Sequence, residues 1–269
     1  MEKPKIRSRI RQWLGGWYHR LNKYIYWNFG HVVFAEKQIQ DRLSNCIFEH
    51  RTPLLRQLAD TDMKLQHNKI HNLGIAIKSL NQLVVEPGQT LSYWRQIGEP
   101  TAAKGYLPGM VLQAGRVTAG VGGGLCQLSN LLFWLTIHTP LTITERWRHD
   151  YDVFPDCGRT QPFGSGATCD YPNVDLQITN NTGGRWQLVL KITDDHLVGE
   201  WRSDQPVGYR YRIVEKNHEI KSEFWGGYSR NNEIFRQVID PTTGSVIKEE
   251  YITENHAVMM YNPLLGDRL

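Results

Sequence analysis

One stretch limits what this chain can fold into more than any other: Gly122-Gly123-Gly124-Leu125-Cys126-Gln127-Leu128-Ser129, three glycines running into a cysteine. Behind them Leu125, Leu128, Leu131, Leu132 and Leu135 recur at helical spacing, and Pro140 closes the element. At 100° per residue these leucines cover about 120° of the helix circumference, and Cys126 falls about 100° outside the edge set by Leu125. The spacing therefore predicts a helix that starts at Cys126 and turns the thiol away from its main packing face. Glycines allow the sharp turn into such a helix. Unpaired N–H groups and the positive end of the helix dipole at that position favour a thiolate.

Leu141 to Arg146 alternates apolar and polar residues, which predicts a strand directly after the helix. Continued without a bulge, that strand puts His149 on the face of Leu141 and Ile143. A thiol nucleophile, a base and a group orienting that base are the parts of a cysteine acyltransferase. Cys126 and His149 supply the first two by type. Asp175, Asp170 and Asp152 are the candidates for the third, with Asp175 preferred. The backbone of Gly123 and Gly124, with Gln127 and Ser129 beside the thiol, would form the oxyanion and substrate-binding wall. A phosphate-cradling reading of the glycines is weak, because no Gly-Lys-Ser/Thr follows them.

The rest of the chain divides into three parts. Residues 1–70 read as basic, aromatic helices, with apolar rows Ile39, Leu43, Ile47 and Leu54, Leu55, Leu58; Pro53 falls in a first helical turn and Cys46 is small core filler. In the core, residues 71–183, Leu73 to Leu80 and Leu83 to Val85 read as two short strands around an Asn81-Gln82 turn. A loop-rich approach then leads to Val111-Leu112, and a second loop runs from Phe154 to Tyr171. Residues 184–269 alternate in short runs divided by turns such as Asp240 to Gly244, an antiparallel β extension. The fold class is α+β: N-terminal helices, a central α/β domain with the cysteine helix packed on a sheet, and the β extension. The order of cysteine helix then histidine strand recurs in papain-like and transglutaminase-like enzymes.

At 269 residues the chain can bury a core without staples, and no run of about 18 apolar residues exists to cross a bilayer. Cys46, Cys126, Cys157 and Cys169 are too scattered for a disulfide framework. Cys157 and Cys169 with His138 and His149 lack zinc-site spacing, so no metal and no cofactor is expected. Lys3, Lys5, Arg7, Arg9, Arg11, Arg20 and Lys23 stand against Glu2 alone in the first thirty residues, interleaved with Trp13, Trp17, Tyr18, Tyr24, Tyr26 and Trp27. That pattern suits a helix whose aromatic face packs on the domain, or one that touches an anionic membrane surface; nucleic acid is not expected. With no secretory signal in view, the expected location is cytoplasmic or peripheral to the inner face of the membrane.

Gly122 to Ser129, then Glu145-Arg146 with His149, then Gly166-Ala167-Thr168 and Val174-Asp175-Leu176 before Asn181, resembles the VanW domain family over about Asn72 to Thr182. The resemblance implies a bacterial protein of the cell envelope linked to vancomycin resistance. Some members are regarded as L,D-transpeptidases, which cross-link peptidoglycan stem peptides through a cysteine acyl-enzyme; the matching nucleophile would be Cys126 and the base His149. Many members carry Asp where this chain has Gly166, so orientation of the histidine would fall to Asp170 or Asp175. The alternative is a noncatalytic accessory whose cleft binds a cell-wall peptide or a resistance enzyme.

Overall fold

The computed structural model describes residues 9–55, 62–113, 115–153 and 160–265. It opens with α1 (Arg9–Phe29), β1 (Asn45–Pro53), α2 (Met63–Leu80), β2 (Leu83–Val85), β3 (Thr90–Ser92) and the short α3 (Tyr93–Ile97). The hairpin β4 (Pro108–Gln113) and β5 (Arg116–Val121) precedes α4 (Cys126–Ile137), β6 (Thr142–Glu145) and β7 (Tyr151–Asp152). β8 (Gln177–Thr179), β9 (Trp186–Ile192) and β10 (His196–Ser203) follow, then β11 (Arg210–Ser222), β12 (Tyr228–Ile239) and β13 (Val246–Met259). The result is an α+β fold of few helices and largely antiparallel sheets, and it lends no support to a papain-like order beyond the helix-then-strand sequence itself.

The core sheet has the order β1-β10-β9-β2, all antiparallel. Trp186, Leu188 and Leu190 from β9 and Leu197 and Trp201 from β10 share one buried cluster with α2 and α4. Gly199 lies against Leu131 and Leu135, where a Cβ would collide with both. All five leucines of the α4 stripe are buried, each stabilising the fold by about 2 kcal/mol. The Trp201 indole N–H donates to Thr136 Oγ1 at 3.1 Å, so this helix–sheet contact leaves no orphaned donor. β9 and β10, placed by sequence in the C-terminal extension, are thus central to the core sheet. A boundary at 183/184 cuts across it.

Two expected elements change type. Cys46 and Ile47 lie in β1, a strand paired with β10, and Cys46 is exposed rather than core filler. The Ile39, Leu43, Ile47 row is therefore no helix face, Leu54 and Leu55 follow the strand, and Leu58 is outside the described residues. Conversely, Leu73 to Leu80 is the second half of α2. Its buried residues, Gln66, Lys69, Asn72, Leu73, Ala76 and Leu80, have a helical period, but half of that stripe is polar, so the contiguous Ile75-Ala76-Ile77 reads as a strand. Asp62 caps the helix through Lys64 N at 2.8 Å. The loop-rich approach, residues 98–107, holds only one 3-10 turn (Ala102–Lys104), and Val111-Leu112 lies in β4, which pairs with β5 in a hairpin.

The C-terminal strands form a sheet in the order β11-β12-β13-β7, antiparallel except for the β13–β7 pair. No helix among the described residues is long and apolar enough to cross a membrane.

Candidate functional site

The glycine run works by close packing. A Cβ on Gly123 would overlap the Gly109 carbonyl and Met110 N, backbone that cannot rotate away, and Gly124 sits at φ +92° against Lys69. The buried Asn72 amide of α2 donates to the carbonyls of Leu107 and Gly123 and accepts from Leu107 N, locking the turn to the hairpin. The Tyr93 hydroxyl donates to Leu125 O at 2.9 Å. Held from both sides, α4 starts at Cys126 as the sequence predicts. The backbone N–H groups of Gly124, Leu125 and Cys126 donate no hydrogen bond among the described residues, as the first turn of a helix leaves its donors without intrahelical acceptors.

The opposite wall comes from two zipped segments. β6 ends at Glu145, so His149 is not on the predicted strand; it lies in the extended segment beyond, where Trp147 bridges Thr168. Arg146 fastens that segment to the next loop: Nε donates to Gly166 O, Nη2 to Gly164 O and Asn255 Oδ1, and Nη1 to Thr253 Oγ1, at 2.7–3.0 Å. α4 holds the same loop, because Ser129 Oγ donates to Ala167 O at 2.6 Å and Asn130 Oδ1 accepts from Ala167 N at 2.9 Å. A Cβ on Gly166 would overlap Asn130 Oδ1, so the asparagine occupies the space an aspartate at 166 would enter.

These clips bring a second thiol to the site. Cys126 Sγ lies 3.4 Å from Cys169 Sγ and 3.6 Å from the Cys169 carbonyl oxygen. The Cys169 thiol does most to hold Cys126 well below the ordinary cysteine value; burial opposes this, and the His149 ring adds to it through a hydrogen bond and its charge. Burial and the neighbouring Cys126 sulfur push Cys169 well above that value. Asp170 is raised by burial and then by the Cys126 charge, with His149 acting in the opposite direction. Cys126, His149, Cys169 and Asp170 thus form one electrostatic unit. Sequence reasoning missed Cys169, although it stands directly after the Gly166-Ala167-Thr168 motif.

The other sequence candidates have structural partners. Asp175 is fully buried and accepts from Ser92 Oγ, Trp94 N, Leu176 N and Gln177 Nε2 at 2.6–3.3 Å, with Lys23 Nζ at 3.6 Å. It ties α3 and α1 to the β8 strand, and the carboxylate beside the thiol and imidazole is Asp170. Gln127 Nε2 donates to Thr52 Oγ1 and Pro53 O at the end of β1, and Ser129 is the clip already described. Asp152, in β7 of the C-terminal sheet, accepts from the Tyr261 hydroxyl just beyond β13. Cys157 lies outside the described residues. An open pocket between α1 and the end of β6 is lined by His19, Lys23, Tyr26, Glu145, Trp147 and Val174, apart from the thiols.

Residues 68–202 match the family model described as VanW like protein. The chain is 30% identical over 233 residues to the vancomycin B-type resistance protein VanW of Enterococcus faecalis, covering 87% of this chain and 84% of that protein. It is 31% identical over 186 residues to the uncharacterized protein YoaR of Bacillus subtilis, covering 69% of this chain and 60% of that protein. No solved structure matches it significantly. The matched span runs from within α2 to the last residues of β10, taking in the glycine turn, both thiols and nearly all of the core sheet's β9–β10 hairpin, and by this match the chain belongs to the VanW family.

Proposed function

We propose that this chain is a cysteine-dependent acyltransferase of the bacterial cell envelope, of L,D-transpeptidase or amidase type, acting on peptidoglycan stem peptides or their precursors in glycopeptide resistance. The observation that carries the reading is the Cys126 thiol at the start of α4, held below its ordinary value beside His149. The resistance context comes from the vancomycin B-type resistance protein of E. faecalis to which the chain is similar.

In this mechanism the Cys126 thiolate attacks the carbonyl carbon of the scissile amide, and the N–H groups of Gly124, Leu125 and Cys126 stabilise the oxyanion. Collapse breaks the C–N bond; the amine leaves with a proton from His149 and a thioester remains on Cys126. An acceptor amine, or water, then gives its proton to His149 and attacks the thioester, restoring the thiolate. Asp170 acts as the positioning residue for the imidazole.

The test is intact-mass analysis after incubation with stem tetrapeptides. An acyl adduct on Cys126, absent in Cys126→Ala, is the expected result; no adduct with tetra- or pentapeptide substrates would overturn the acyltransferase reading. A second reading, a noncatalytic accessory whose cleft binds a cell-wall peptide or a resistance enzyme, is favoured by Gly166, which supplies no carboxylate to orient the imidazole. Full resistance complementation by Cys126→Ser would support that second reading.

A further inference from the structure

We propose that Cys126 and Cys169 form a reversible disulfide that withdraws the nucleophile from the site, with Cys169 as the resolving thiol. The sulfurs already lie 3.4 Å apart, and a disulfide of about 2.05 Å requires a further approach that side-chain rotation can supply. Neither backbone need unfold, because α4 is already held to the 164–170 loop beside the pair: Ser129 and Asn130 bond Ala167, two residues before Cys169, and Arg146 holds the same loop at Gly166. Both thiols are partly exposed, and they differ in the way a redox pair requires: Cys126 is the more acidic and Cys169 the less.

The oxidant is a peroxide. The Cys126 thiolate attacks one oxygen of hydrogen peroxide; the O–O bond breaks, giving a sulfenic acid and a hydroxide that is protonated to water. The Cys169 sulfur then attacks the sulfenic sulfur. The S–S bond forms, the S–O bond breaks, and the hydroxyl leaves as water with the Cys169 proton. Overall two thiols and one peroxide become one disulfide and two waters, and a dithiol reverses the change. The effect on acyl transfer rests on the function proposed above; the cross-link itself does not.

The full chain is titrated with hydrogen peroxide, digested without reduction and mapped by mass spectrometry. The expected product is a peptide linking Cys126 to Cys169, lost on dithiothreitol treatment, with acyl transfer falling and returning in parallel. In Cys169→Ser, confirmed as folded by circular dichroism, Cys126 should pass to the sulfinic acid that dithiothreitol does not reverse. Equal sulfinic acid formation in both proteins, or cross-links only through Cys46 or Cys157, would overturn the proposal. A linked Cys126–Cys169 peptide in a protein without acyltransferase activity would support the disulfide and sink the acyltransferase reading alone.

A different observation concerns α1, from which we infer a docking face for an anionic bilayer. Arg20 pairs with Glu99 and Lys23 with Glu145, Tyr24 and Tyr26 bond Tyr171 and Gln177, and Trp27 is buried, so one side of α1 is clamped to the domain. Toward the N-terminal end, beyond the clamp, and along the flank that ends at Ile25, Trp13, Leu14, Trp17, Tyr18, Leu21 and Ile25 are all exposed, between 46% and 64%. They span roughly 140° of the helix. The helix contains no Asp or Glu; Arg9 and Arg11 lie in its first turn and Lys3, Lys5 and Arg7 precede it in sequence, which complements anionic lipid; the two tryptophans suit the headgroup depth.

The full chain should sediment with vesicles of phosphatidylglycerol and phosphatidylcholine mixed equally, release in high salt, and stay in solution with phosphatidylcholine alone. Trp13→Ser with Trp17→Ser should abolish pelleting while the circular dichroism spectrum is unchanged. Failure of the parent chain to pellet, or self-association lost in the same double variant, would overturn the assignment.

Discussion

Acid should loosen the helix that carries Cys126 at its far end, and His138 sets the size of the effect. This residue caps the C-terminus of α4, its ring stacked on Phe48 of β1 at 4.0 Å and edge-on to Trp134 at 4.6 Å, with Nδ1 bonded to the Trp134 carbonyl at 2.8 Å. Burial pushes its pKa down to about 4; the carbonyl bond opposes this, while His50 and Arg236 add to it. The unfolded chain therefore takes up the proton first as pH falls. The stability contribution is complete above the unfolded value of about 6.5 and is lost as pH falls from there through about 4. A displacement of that size corresponds to about 3 kcal/mol, of which about 2 kcal/mol is gone by pH 5. Urea unfolding at pH 7 and pH 5 measures it. His138→Phe keeps the ring stack and removes the titration, so its stability should fall less between the two pH values, by about 2 kcal/mol. An identical pH dependence in the two proteins would refute the assignment, since His50, also depressed by burial, remains in both.

Other outcomes can be checked in the same way. Arg146→Ala removes the bonds that hold the 164–166 loop and should cost about 3 kcal/mol in urea unfolding; Arg146→Lys should restore only part of it, because a single ammonium cannot span the same acceptors. Gly123→Ala drives a methyl into the backbone of residues 109 and 110 and should destabilise by about 1–3 kcal/mol, whereas Gly74→Ala, in open space on α2, should stabilise by about 0.5–1 kcal/mol. The pH profile of iodoacetamide alkylation at Cys126 should have its midpoint well below that of an ordinary cysteine, and either Cys169→Ala or His149→Ala should move it upward; a midpoint unmoved by both would remove the electrostatic basis of the site.

Period and punctuation in the sequence were enough to determine α4, its leucine stripe and the position of Cys126 at its start, because a helix buries one stripe and glycines open its turn. The strand at Thr142 to Glu145 and the runs of the C-terminal sheet were legible for the same reason. α2 was not, because Gln66, Lys69 and Asn72 are buried, Asn72 through bonds to the distant Leu107 and Gly123, and burial of polar residues leaves no hydropathy signal. The type of β1 was likewise set by its partner, β10, more than 140 residues away in sequence. The same holds at the site. Sequence supplied a cysteine, a histidine and several aspartates, but only the folded chain could decide that Asp175 is consumed by α3 and β8 while Cys169 and Asp170 face Cys126. Those choices depend on hydrogen bonds from Arg146, Ser129 and Asn130 that close long loops, and a contact made across a loop is a property of tertiary geometry, with no trace in local spacing.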